Sequence, residues 1–125
     1  MKIEITRHLL QFAFCLFFLS SCHQEMGSTL QMDDDKVSLI VAPSATLVDL
    51  NRFAESLKKE KGIDADFSEC EFDQEGKLRQ LKLTVDCNDG FSGTVVQPAL
   101  LLKGNSTGFV RDYKNKEVPF KIGTL

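Results

Sequence analysis

The sequence predicts an α+β fold, one helix packed on a mostly antiparallel sheet of four to six strands in β-α-β-β-β order. Three observations predict it. A single helical stripe lies between a capping box at Thr46 and a stop at Gly62. Residues 77–87 alternate apolar and polar side chains with the two-residue period of a half-buried strand. Two turn-forming runs, Asp73-Gln74-Glu75-Gly76 and Asn88-Asp89-Gly90, bracket that strand as hairpin connections do.

Taken in order, the chain opens on a leader. Lys2 and Arg7 give it a basic start, and residues 9–19 form a Phe-rich apolar run interrupted only by Gln11. As a helix this run covers roughly 16 Å at about 1.5 Å per residue, about half of a ~30 Å hydrocarbon core. It is too short for an uncleaved anchor helix and has the layout of a secretory signal. Leu19-Ser20-Ser21-Cys22 closes it and reads as a bacterial lipobox. The expectation is cleavage before Cys22, a diacylglyceryl group on its thiol, and a further palmitate-like acyl chain on the new amino terminus. Two or more chains, at about 0.8 kcal/mol per buried CH₂, give stable anchoring. The alternative is an ordinary secreted protein that happens to carry Cys22.

Residues 1–21 are thus expected to be a signal peptide, and the rest a lipid-anchored protein of the cell envelope. His23, standing where Asp would retain a lipoprotein, favours the outer membrane over the inner, with the domain facing the periplasm or the surface. Loss of the leader removes Lys2, Arg7 and Glu4 and shifts the formal charge from −3 to −4. An acidic chain with no basic cluster argues against a nucleic-acid partner. It also argues against electrostatic docking to anionic lipid, leaving the acyl chains to hold the membrane.

Residues 22–35 read as a flexible tether from Cys22, polar and without periodicity, with a root-mean-square reach of roughly 20 Å. Asp33-Asp34-Asp35 reads as a solvated acidic stretch, since calcium loops alternate ligands with spacers and carry a glycine bend. The domain is expected over residues 36–125. Val37-Ser38-Leu39-Ile40-Val41 is apolar and β-branched, a first strand ended by Pro43. Thr46 and Asp49 form the capping box of a helix running to about Lys61, with Leu47, Leu50, Phe53, Ala54 and Leu57 on its core face. Glu55 and Lys59 lie four apart on its wet side.

Residues 63–72 read as a second strand and 77–87 as a third, with Leu81, Leu83 and Val85 on the core side and Gln80, Lys82, Thr84 and Asp86 toward water. Residues 91–97 follow as a fourth strand, broken or edged by Pro98, and residues 99–102 as a short fifth. Residues 108–113 and 118–122 suit a last hairpin over Lys114-Asn115-Lys116. In this register Cys70 lies near Gln80 and Cys87 roughly 23 Å further along, at about 3.3 Å per residue. A disulfide needs Cα atoms within about 7 Å. Two unpaired thiols are therefore expected, Cys70 buried and Cys87 at a strand end.

Five short runs fall in sequence along this framework: Lys61-Gly62-Ile63, Phe67-Ser68, Asp73-Gln74-Glu75-Gly76, Leu81-Lys82-Leu83-Thr84 and Asp89-Gly90-Phe91-Ser92-Gly93. Together they resemble the small C-terminal extracytoplasmic domain of BlaR-type membrane metallopeptidase sensors, over roughly residues 46–95. The matching residues are turns and core positions, so the resemblance implies a fold and no activity. The metallopeptidase part has no counterpart: His-Glu-x-x-His is missing from this sequence, and no catalytic residue carries over.

Other chemistry finds little purchase. Gly104-Asn105-Ser106-Thr107-Gly108 matches the Gly-x-Ser-x-Gly elbow string, which needs a strand before it, a helix after it, and a histidine with an acid. Strand-like residues follow here, and the only histidines are His8 in the leader and His23 beside the lipid. A zinc site from Cys70 and Cys87 lacks the usual short spacings. Glu69 and Glu71 read as a wet strand face, and Tyr113 without any Trp gives little to stack a sugar on.

The sequence therefore leads to a lipid-anchored binding or interaction module, with no catalytic, cofactor or metal site expected. Its partners would be the membrane, through covalent lipid, and a protein of the envelope. Recognition would use strand addition at an exposed edge or the face around Lys82, Thr84 and Asp86. The second reading is a small inhibitor or immunity-type protein of an envelope hydrolase.

Overall fold

The computed structural model describes residues 27–125. Two four-stranded antiparallel sheets and one main helix enclose a single core, so the α+β class holds, with the strands divided between two sheets. In chain order the elements are β1 (Thr29–Met32), β2 (Lys36–Ile40), α1 (Leu47–Lys61), β3 (Asp64–Asp66), β4 (Glu71–Phe72), β5 (Leu78–Asp86), β6 (Ser92–Pro98), α2 (Ala99–Leu102), β7 (Thr107–Asp112) and β8 (Phe120–Thr124). The first sheet runs β1-β2-β7-β8. In the second, β3 and β4 share one side of β5 and β6 takes the other.

Helix α1 forms where its termini dictate. The Thr46 hydroxyl accepts from the Asp49 N–H, and the Asp49 carboxylate accepts from the Thr46 N–H, both at 3.2 Å. At the other end Gly62 adopts φ +65°, and its N–H reaches back to the last carbonyls. Leu50 and Leu57 are fully buried, with Phe53 and Ala54 packed beside them, whereas Leu47 at the first turn is about half exposed. Strand β5 supplies the floor of the core through Leu78, Leu81, Leu83 and Val85. Strand β2 faces it with Val37 and Leu39, and β7 with Phe109.

Three expectations are corrected. The tether is shorter than 22–35, because residues 29–32 form β1 and pair with β2 in the register Thr29↔Ile40 to Met32↔Val37. Leu30 and Met32 pack against the core, which makes this segment part of the domain. The acidic stretch is its hairpin turn: the Asp33 carboxylate accepts from the backbone N–H of Asp35 at 2.9 Å and Lys36 at 2.8 Å.

The strand expected at 63–72 is split into β3 and β4 by a turn over Phe67-Ser68-Glu69-Cys70, in which the Cys70 N–H donates to the Phe67 carbonyl. Phe67 turns inward and is buried, and that burial drives the break. The expected fifth strand at 99–102 is instead α2, started by Pro98 at its N-cap and anchored by buried Leu102.

Candidate functional site

Leu19, Ser20 and Ser21, read from the sequence as a lipobox, the expected acceptor Cys22 and its neighbour His23 lie outside the described residues. Of the remaining sequence candidates, most are occupied by structural tasks. The Gly104–Gly108 string runs from the loop after α2 into the first two residues of β7, so a helix precedes it and a strand follows, the reverse of a nucleophile elbow. The Ser106 carbonyl accepts from Leu125 at 2.7 Å, and the Thr107 carbonyl accepts from Val41 at 2.8 Å. At Gly108 an added Cβ would lie 1.8 Å from the Leu39 carbonyl oxygen. The second glycine is there because the β2 backbone, paired with β7, lies too close at this point for any side chain.

Carboxylates are used in the same way. Asp66, Asp73, Asp86 and Asp112 each accept a backbone N–H two residues on, at 2.8–3.1 Å, and so pin four turns. Hydrogen bonds from the Ser68 hydroxyl and N–H hold the Asp66 carboxyl below the usual range. Asn88 and then Lys58 do the same for Asp64. Glu69, in the turn, pairs with Lys82 at 2.7 Å, while Glu71 lies exposed on β4; the two do not form a catalytic pair.

Both thiols are free; Cys87 follows the last residue of β5, at a strand end as expected, and is buried, whereas Cys70 is half-buried rather than buried. The break between β3 and β4 leaves the N–H and C=O of Lys82 facing a gap in the sheet. The Cys70 Sγ fills it, accepting from that N–H and donating to that carbonyl at 3.4 Å each. Burial pushes the Cys70 thiol up. Burial, and then the Asp89 charge, pushes Cys87 up to about 11.

Arg111 went unread in the sequence. It falls at the inward parity of β7 after Thr107 and Phe109, and its side chain is only 10% exposed. The guanidinium lies 4.5 Å from the Phe91 ring centroid and 4.6 Å from that of Tyr113. Its Nε and Nη2 both donate to the Asp89 carboxylate at 2.9 Å, and its Nη1 to the carbonyls of Asp112 and Pro119. The only sequence signal was this parity, a basic residue at an inward position of an alternating strand. With four N–H groups engaged, Arg111 fastens the β5–β6 hairpin to β7 rather than presenting itself to a ligand.

Two concavities stand out among the described residues. A cleft of about 370 Å³ opens at one end of the first sheet, lined by Gly27, Thr29, residues 40–44 and residues 102–106. A groove of about 650 Å³ lies between α1 and the outer edge of β3, floored by Ala54 and Ala65 and rimmed by Glu55, Lys58, Lys59, Asp64 and Asp66. The predicted face around Lys82, Thr84 and Asp86 lies on β5, where Thr84 and Thr94 share a hydroxyl hydrogen bond of 3.1 Å and Lys82 is neutralised by Glu69. No helix among the described residues is long and apolar enough to cross a membrane. Comparison with protein-family models, curated proteins and solved structures finds no match.

Proposed function

We propose that this protein is fastened to an envelope membrane through acylated Cys22 and works there as a binding module for another envelope protein. The observation that carries the reading is the outer edge of β3. Its three residues pair with β5 on one side, and the other side faces the α1 groove. An extended segment laid there would take main-chain hydrogen bonds from β3, place alternate side chains over Ala54 and Ala65, and meet a rim of mixed charge. Backbone pairing supplies affinity in such a mode, and the pockets and charges supply selection.

Two measurements test it. Metabolic labelling with an alkyne fatty acid is expected to mark the wild type and not Cys22→Ala; equal labelling removes the anchor. Affinity purification from detergent-solubilised envelopes is expected to retain a partner that Lys59→Glu and Ala54→Arg release. A partner retained equally by both variants, or no enrichment over the Cys22→Ala form, removes the binding surface.

A further inference from the structure

The domain has two unlike ends. Gly27, residues 42–44 and residues 102–106 gather at the cleft. At the opposite end, Lys61 donates to the Asp33 carbonyl at 2.6 Å, Tyr113 N–H to the Asp35 carbonyl at 2.9 Å, and Lys114 pairs with Asp35 at 3.2 Å. Strand β7 runs from one end to the other, roughly 17 Å at about 3.3 Å per residue.

The segments that line the cleft are poor in charge, although the β4–β5 turn with Asp73, Glu75 and Lys77 lies toward the same end of β5. Residues 37–48 carry no charged side chain, and residues 90–110 carry only Lys103, although 26% of the chain is charged. The far end is dense in charge of both signs, with Asp33, Asp34, Asp35 and Glu117 beside Lys61, Lys114 and Lys116. The two most exposed large apolar side chains, Leu100 at 80% and Val48 at 67%, belong to segments flanking the cleft, while Val118 and Tyr113 are exposed at the far end. Leu101, next to cleft-lining Leu102, is 49% exposed.

We infer that the cleft end lies against the bilayer that holds Cys22, with Leu100 and Leu101 of α2 entering the headgroup boundary. This rests on the lipid-anchor reading. Because β1 belongs to the fold, only five residue steps separate Cys22 from Gly27, which lines the cleft. Fully extended, they span roughly 17 Å at about 3.5 Å each. The anchor thus keeps the cleft end near the lipid. A folded protein of about 100 residues has a radius of gyration of about 13 Å and is too wide for that gap. The occupant is therefore the membrane surface. Exposed leucines are stabilised by entering the boundary region, and Lys103 can extend its stem along them and set its ammonium among the phosphates. The far end, where acidic and basic side chains nearly balance, points outward because the short span from Cys22 holds the opposite end. The orientation would leave the α1–β3 groove accessible from the side.

The chain has no tryptophan, so a single introduced one reports alone. Full-length acylated protein carrying Leu100→Trp, Leu101→Trp or Val118→Trp is reconstituted into vesicles with brominated acyl chains, and vesicle flotation is measured alongside emission. Val118 is 53% exposed and precedes Pro119, whose carbonyl pairs with Asp112 at the far end. The expected result is flotation, loss of most emission at positions 100 and 101, and little loss at 118. Flotation with equal emission at all three positions overturns this orientation and leaves the anchor standing. Failure of the wild type to float above Cys22→Ala overturns both.

Discussion

Gly108 shows how a catalytic-looking string arises from backbone geometry. A methyl group there would stand 1.8 Å from the Leu39 carbonyl oxygen, well inside contact distance, and both atoms belong to paired strands that resist separation. Gly108→Ala is therefore expected to destabilise by about 3 kcal/mol, the upper end of overpacking costs. Ser106→Ala, at an exposed site, should change stability by less than about 0.5 kcal/mol. Denaturant unfolding of the two variants checks the pair; the reverse order would return Ser106 to consideration as a functional residue. The thiols give a second residue-scale prediction. Cys87 titrates near 11 in the fold, through burial first, against an ordinary value of 9.0. At pH 8 it is a thiol, and a thiol reacts slowly. Neither cysteine should react with a disulfide reagent in the folded protein at the rate reached after denaturation. Because the folded value is raised, the thiol's contribution to stability is intact below about pH 9 and is lost as pH climbs toward 11.

Among the elements, those with strong end signals were legible. Helix α1 was readable to the residue because a capping box, an i, i+3, i+4 stripe and a C-terminal glycine agree. Strand β5 was readable because one of its faces is buried and the other wet. The failures share a cause: their structure depends on distant contacts. Thr29–Met32 is too short for its alternation to stand out and becomes a strand only by pairing with β2. The Phe67-Ser68-Glu69-Cys70 turn lacks Gly and Pro, and forms because Phe67 finds the core and Cys70 closes the gap at Lys82. Residues 99–102 are uniformly apolar and therefore carry no period at all. The candidate groove was equally illegible, since it joins α1 to an edge defined only by pairing. Local signals also carry measurable energy. Thr46→Ala removes one half of the capping box and should cost about 1 kcal/mol. The same loss in an Asp49→Ala background should be smaller, because the two groups act together; thermal unfolding of the double-mutant cycle measures this, and strict additivity would show that the box is not coupled.

For the whole molecule, the decisive change from the sequence reading is where the domain begins. A boundary at residue 36 would leave β2 as the edge of the first sheet, with its outer N–H and C=O groups bare. The structure instead covers that edge with β1, buries parts of Leu30 and Met32 against the core, and ties the Ser28 hydroxyl to the Ala42 N–H at 2.8 Å. Partial burial of two such side chains is worth about 2–4 kcal/mol at ordinary values for apolar transfer. In a domain of this size each kcal/mol shifts Tm by about 4–8 °C. A chain beginning at residue 36 is thus expected to melt at least roughly 10 °C below one beginning at residue 27. It should also associate, because an uncovered strand of alternating Val and Leu is a template for pairing with another copy. Thermal unfolding and size-exclusion chromatography of the two chains check both expectations. Equal melting and equal elution would mean that β1 adds nothing to the fold. The span between Cys22 and the domain would then lengthen to the full 22–35, and with that slack the anchor proposed at Cys22 would not hold the cleft end at a lipid surface.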